Sequence, residues 1–163
     1  MAVKNLTFSA QVDEWVKATE QRMEAVFKQS TQRVFEEVRK TEAKGGTIPV
    51  ITGHLRNSFQ ASTNGPIPID PASKPVKGAS YDKTGDALPG PVTLVITGAK
   101  LGQTIWGCFT AAYAARMEYG FTGEDALGRT YNQAGRGFVR LAAQKWQRIV
   151  EDVVAELKKQ AGG

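Results

Sequence analysis

His54 and Cys108 occur once each, and together they are the two side chains whose types suit nucleophilic catalysis. A cysteine thiolate attacks while an imidazole takes the proton, provided the two lie within hydrogen-bond reach and a third group orients the imidazole. Their surroundings argue for other roles. Cys108 lies in the apolar alternation Ile105, Trp106, Gly107, Cys108, Phe109, where a buried and inert thiol is the common outcome. His54 stands in a turn-like stretch with no carboxylate beside it in sequence. A hydrolase using Cys108 and His54 is therefore the third-ranked reading of the chain.

Other chemistries find even less material. One histidine and one cysteine do not make a zinc set, and a lone cysteine excludes an internal disulfide. No glycine loop ends in Lys-Ser or Lys-Thr, so no phosphate cradle is expected, and no cofactor is predicted. Glu124 and Asp125 adjoin in a glycine-interrupted polar stretch and read as solvated. Arg56 and Glu118 are better motivated, since each belongs to one of the two motif-like segments described below. Either they form a charge-assisted bond that holds a corner against a short helix, or both point to water.

These residues must be positioned by a chain of 163 residues with 41% hydrophobic and 23% charged content. That size allows one domain, residues 1–163, with a real hydrophobic core. No run of about 18 apolar residues exists, so no membrane span or membrane partner is expected. Residues 1–10 lack the apolar region and cleavage pattern of a signal peptide, which predicts synthesis in the cytoplasm. The net charge of +5 is spread thinly: residues 1–45 carry 8 basic and 7 acidic side chains, and residues 136–163 carry 6 and 3. A dedicated nucleic-acid face would concentrate it, so a small basic DNA-binding protein ranks second.

Hydrophobic spacing predicts α+β architecture, with long N-terminal and C-terminal helices on a small antiparallel sheet. Val12, Trp15, Val16, Met23, Val26, Phe27, Val34 and Val38 recur at steps of three and four, giving a helix over residues 9–44. Ser9 suits its N-cap, Asp13 and Glu14 its positive end, and Gly45-Gly46 its stop. Such a helix would be roughly 50 Å long, more than a domain of this size covers. Either part of its stripe faces a neighbouring subunit, or it bends near residues 29–32 and returns to its own core. A second stripe, Phe138, Val139, Ala142, Trp146, Ile149, Val150, Val153 and Leu157, predicts a last helix over residues 137–160.

Residues 45–135 hold the sheet, a long loop and a short helix. At the corner, Gly53 can supply a positive φ, Thr52 a local cap, and Pro49 disfavours helix in the residue before it. Residues 57–63 read as a strand with Phe59 and Ala61 on one side. Residues 64–91 contain six of the seven prolines, and Lys74, Lys77 and Lys83 balance Asp70, Asp82 and Asp86. A loop of this length is either a functional extension that orders against a partner or a loose surface segment; its candidate contact residues are Pro66, Pro68, Pro71, Lys74, Lys77, Tyr81 and Lys83. Residues 92–99 fit helix by period and strand by β-branched content. Residues 103–109 read as a strand with Trp106 and Cys108 buried, residues 111–118 as a short helix ended by Gly120 that sets Tyr113 above Met117, and residues 121–135 as loop.

Three segments in this order carry a family resemblance. Pro-Val-Ile-Thr-Gly-His-Leu-Arg-Asn-Ser-Phe (residues 49–59) follows a long helix, Tyr-Ala-Ala-Arg-Met-Glu-Tyr-Gly (residues 113–120) comes next, and Gly-Phe-Val-Arg (residues 137–140) opens the last helix. The arrangement resembles the tail-completion proteins of long-tailed bacteriophages, also described as neck, minor tail or tail-to-head joining proteins. Their pattern looks like Thr-Pro-Val-Asp-Thr-Gly-x-Leu-Arg-x-Ser followed by Tyr-Ala-x-x-x-Glu-x-Gly. The likeness runs over residues 9–157 and departs at Ile48 and Ile51, where Thr and Asp are usual.

The resemblance implies a non-enzymatic structural protein of the virion tail or neck, assembled in the host cytoplasm. Its implied partners are copies of itself, in a ring that would be a hexamer, and the tail tube protein, the tail terminator or the head connector and stopper proteins. DNA would pass through the channel without sequence-specific binding. Thr52, Gly53, Leu55, Arg56, Ser58, Tyr113, Glu118 and Gly120 carry over as fold and assembly determinants, and no catalytic, cofactor or metal set comes with them.

Overall fold

The computed structural model describes residues 7–85 and 87–161; residues 1–6 and Asp86, which entered the reading of the N-terminus and of the loop charges, lie outside them. The architecture is α+β, 49% helical and 13% strand. Helix α1 spans Phe8–Val38 without interruption, so the bend considered near residues 29–32 does not occur. Its N-cap is Thr7 rather than Ser9: Thr7 Oγ1 accepts from the Ala10 N–H at 3.3 Å, and the first turn carries no acid.

The helix also stops earlier than Gly45-Gly46. The Arg39 carbonyl leaves the helical ladder to accept from Arg56 Nε at 3.1 Å. Residues 40–48 then close a small loop, with Ile48 N–H donating to Lys40 O and Glu42 N–H to Ile48 O, both at 3.3 Å. A turn of 3-10 helix, Glu42–Lys44, lies inside that loop, and Gly45 at φ 78° ends it.

A one-turn helix α2 (His54–Asn57) leads into β1 (Phe59–Ser62), which pairs antiparallel with β2 (Trp106–Phe109). Opposed residues share a face, and Phe59 faces Phe109 while Ala61 faces Gly107. That inward face is aromatic. Ring centroids of Phe35 and Phe59 are 5.1 Å apart, of Phe59 and Phe109 4.9 Å, and of Phe109 and Phe138 5.0 Å. The four rings join α1, both strands and the last helical segment in one core.

This register corrects the expectation for residues 103–109. Trp106 and Cys108 lie on the outward face, Trp106 being 41% exposed and Cys108 half-buried. Gly107 takes the inward place because a side chain there would collide with Phe35 and Phe59.

Residues 90–98 settle as helix: α3 (Gly90–Gly98) begins with Pro91 in its first turn and buries Val92 and Ile96, one turn apart, while Leu94 points to solvent. Proline at a helix start loses no hydrogen bond, which lets the period win over β-branched content. Helix α4 (Ala114–Tyr119) is capped by Gly120 at φ 89°. The stretch expected as loop is a hairpin, β3 (Gly120–Glu124) against β4 (Thr130–Ala134). Asp125 fixes its turn by accepting from the Leu127 N–H at 2.9 Å and the Arg129 N–H at 3.0 Å.

The last helix is two, α5 (Phe138–Gln144) and α6 (Trp146–Ala161), joined at Lys145, whose N–H turns to the Ala142 carbonyl three residues back. Helix α6 runs back along α1, with Arg33 paired to Glu156 and Lys145 to Glu37. Among the described residues no helix is long and apolar enough to cross a membrane.

The core packing sets a test. At Gly107 an added Cβ would lie 2.6 Å from a Phe35 ring carbon and 2.8 Å from a Phe59 ring carbon, so Gly107→Ala should lower stability by about 1–3 kcal/mol through overpacking. At Gly98 nothing lies within 4 Å, and Gly98→Ala should leave stability unchanged or raise it. Urea unfolding midpoints of the two variants separate the outcomes.

Candidate interaction site

The corner is built from both ends of the chain's first half. Gly53 adopts φ 89°, and a side chain there would press on the backbone of Asp82 at 3.0 Å and on Tyr81 at 3.1 Å. Glycine is thus required twice, by dihedral and by space. Thr52 Oγ1 accepts from the His54 N–H at 3.2 Å and opens α2. Leu55 enters the core at 4% exposure, and the buried Ser58 hydroxyl donates to Leu55 O at 2.7 Å, closing the turn.

Arg56 is the centre of this arrangement. Its guanidinium is buried, donates through Nε to Arg39 O, and meets Asp82 through Nη1 at 2.9 Å. Arg39 is equally buried and reciprocates, donating through Nε to Arg56 O at 3.3 Å and through Nη1 to Ala87 O at 3.0 Å. Burial, and then the neighbouring Arg56 charge, pull Arg39 down to about 10. Asp82 moves the other way. The Gly85 and Thr84 amides, and then Arg56, hold its carboxyl down at about 2.

The expected pairing of Arg56 with Glu118 is therefore replaced by two separate devices. Glu118, also buried, accepts from the Val139 N–H at 2.9 Å and the Arg140 N–H at 3.0 Å. A carboxylate there satisfies free amides at the positive end of α5. Gly120 lets the chain turn at once from α4 into the hairpin, since a Cβ at this position would strike the Gln133 carbonyl at 2.6 Å. The motif residues thus fall into two groups, Thr52 to Ser58 at the corner and Glu118 with Gly120 beneath α5. Tyr113 belongs to the first, its hydroxyl 3.2 Å from His54 Nδ1, and burial raises its phenol above the ordinary value.

His54 has its other nitrogen 3.4 Å from the Ser73 hydroxyl and its ring edge-on to Tyr81 at 5.2 Å. Cys108 Sγ instead accepts from the Ile67 N–H at 3.3 Å. Both imidazole nitrogens are taken by hydroxyls, so the two residues do not form the nucleophile and base that their types suggested. Among the described residues no three His, Cys, Asp or Glu side chains gather in a metal-binding group.

The proline-rich segment is ordered against its own chain. Asp70 N–H donates to Thr110 O and Ala112 N–H to Ser73 O, both at 2.9 Å, and Asn57 Nδ2 donates to Asp82 O at 2.7 Å. Tyr81 is half-buried against His54, whereas Pro66, Pro68, Pro71, Lys74, Lys77 and Lys83 all face outward. Arg39, Ser73 and Asp82 were not singled out from sequence; the local cue for Asp82 is the glycine three residues on, at Gly85, which permits the carboxylate to fold back on the amides of a turn.

A second feature lies elsewhere. From Phe8 to Gln29 no residue of α1 is buried, the first being Ser30. Phe8 is 82% exposed, Trp15 67% and Met23 53%. Between the middle of α1 and α6 an apolar groove of about 1100 Å³ runs past Met23, Val26, Phe27, Trp146, Val150 and Leu157. Compared with known proteins, the chain matches no family model, no curated protein and no solved structure.

Two variants test the corner and the cap. Asp82→Asn removes the counter-charge of a buried guanidinium and should cost about 1–3 kcal/mol. Because the folded carboxyl lies near 2, below its ordinary 3.8, its contribution is present above pH 3.8 and is lost as pH falls towards 2. Thermal midpoints measured across that window should fall less steeply in Asp82→Asn than in the parent chain. Glu118→Ala should cost roughly 0.5–2 kcal/mol as a lost helix cap, while Arg56→Ala and Glu118→Ala should be additive in a double-mutant cycle, since the two do not touch.

Proposed function

We propose that this chain is a non-enzymatic structural component of the head–tail junction of a long-tailed bacteriophage, completing or terminating the tail tube and joining it to the head connector as a homo-oligomeric ring. The observation that carries this reading is the uncovered apolar face at the start of α1, where Phe8, Val12, Trp15 and Val16 stay exposed and no described residue before Ser30 is buried. Monomeric proteins rarely leave a contiguous apolar surface of this extent open. A protein whose work is to be a building block needs it.

The two motif groups support the same reading. Arg56 is engaged by the Arg39 carbonyl and the Asp82 carboxylate and Glu118 by helix amides, which suits residues that set the shape of a subunit. The closed ring, a hexamer by resemblance, requires one surface of each copy to match a different surface of its neighbour. The outward Pro66, Pro68, Pro71, Lys74, Lys77 and Lys83 offer a proline-rich, charged flank to the tail tube protein, the terminator or the connector proteins. The diffuse excess of +5 is compatible with duplex DNA passing through a channel without base-specific contact.

Electron microscopy of the purified chain tests the ring, and labelled chain in intact virions tests the place. Closed rings that persist at high salt, with label between head and tail, are expected. A monomer that binds duplex with a steep salt dependence would instead favour the DNA-binding alternative, and label confined to the host cytoplasm would overturn the virion role.

A further inference from the structure

We propose that the apolar groove between α1 and α6 receives the N-terminal turns of α1, residues 8–16, from a second copy of this chain. The contact would supply the subunit interface that a ring needs, yet it is argued from the two surfaces alone. Phe8, Val12, Trp15 and Val16 follow one another at steps of four, three and one, and are 82%, 41%, 67% and 41% exposed. They form one face of a helix, and among the described residues nothing in their own chain buries it.

The groove offers a complementary apolar lining. Met23, Val26, Phe27, Trp146, Val150 and Leu157 contribute to it, together with Ser30, whose buried hydroxyl has no hydrogen-bond partner among the described residues. At 1.5 Å per residue the nine residues 8–16 measure roughly 12 Å, shorter than the groove wall formed by residues 18–30 of α1.

Rigidity decides between self and partner. Residues 8–16 and the groove wall belong to the same unbroken helix, Phe8–Val38, so the segment points away from its own groove along a common axis. It cannot fold back without breaking the helix. Only another molecule can bring an equivalent segment into place.

Charge agrees with that occupant. The donor segment carries Asp13 at the flank of its stripe and Glu14 behind it, whereas the groove lining includes Arg22 and Lys158. None of these four takes part in an ion pair of the folded chain among the described residues. Opposite charges at the rim favour docking and set its register.

The test uses the full chain and two exposed substitutions that leave the core untouched, Trp15→Glu in the donor and Trp146→Glu in the groove. Light scattering should show the parent chain as an oligomer and each variant alone as a monomer or at least tenfold weaker in association, with circular dichroism melting unchanged. Mixing the two variants should restore a complex, because the Trp146→Glu chain keeps an intact donor and the Trp15→Glu chain an intact groove. As a second measure, the association lost in Lys158→Glu should return when Asp13→Lys and Glu14→Lys chains are added. A parent chain that stays monomeric overturns both this contact and the ring. An oligomer that survives Trp15→Glu, or variants that fail to complement, overturns this contact while leaving a ring built through other surfaces intact.

Discussion

Arg39 and Arg56 each donate a hydrogen bond to the other's backbone carbonyl, and both guanidiniums are buried. Placing two like charges side by side out of water is unfavourable, and the depression of Arg39 to about 10 records that cost. What the arrangement gains is position. The Arg39 carbonyl is withdrawn from the helical ladder, so α1 ends there. The Arg56 carbonyl is held by the end of α1, so α2 lies across it, and Asp82 must come to Arg56 as counter-charge. One pair of side chains thereby fixes the end of the long helix, the corner and the path of the proline-rich segment. With Asp82 in place, Tyr81 closes over His54, and His54 reaches Ser73 and Tyr113.

Much of this was legible in the residues, and the rest was hidden for physical reasons. The α+β class, the long first helix and the demand for glycine at position 53 follow from period and turn chemistry, and the structure carries all three. The phase of β2 was hidden because its inward position is Gly107, which has no side chain to mark it, while the outward Trp106 and Cys108 look like core. The hairpin Gly120–Glu124 with Thr130–Ala134 was hidden because neither strand buries a face: Phe121 and Tyr131 meet each other, Arg116 and Asp125, so no hydrophobic alternation appears. The partner of Arg56 was hidden because a carboxylate 26 residues away in an irregular segment leaves no periodic trace, whereas Glu118 sits in a recognisable motif and draws attention to itself.

The same facts explain why the proline-rich segment is not loose. Its prolines limit the conformations available to the unfolded chain, which lowers the entropy lost on ordering. A few contacts then suffice to hold it: two backbone bonds to Thr110 and Ala112, the Asp82 pair, and the Tyr81 ring. The outward prolines and lysines are left as a stiff surface rather than a mobile one. Such a surface can be presented to a partner without a large ordering penalty at the moment of contact.

The length of α1 becomes intelligible from what is short around it. Among the described residues, the β1–β2 ribbon and the helices α3, α5 and α6 are what the chain sets against a helix of 31 residues. The Phe35, Phe59, Phe109 and Phe138 cluster covers the C-terminal third, α6 and its groove the middle, and no described residue buries the first turns. Folding alone gives no reason to keep Phe8, Val12, Trp15 and Val16 on one face, because an exposed helix is as stable with polar residues there and less prone to aggregate. Their spacing is the spacing of a buried stripe, and among the described residues no other part of the chain buries it.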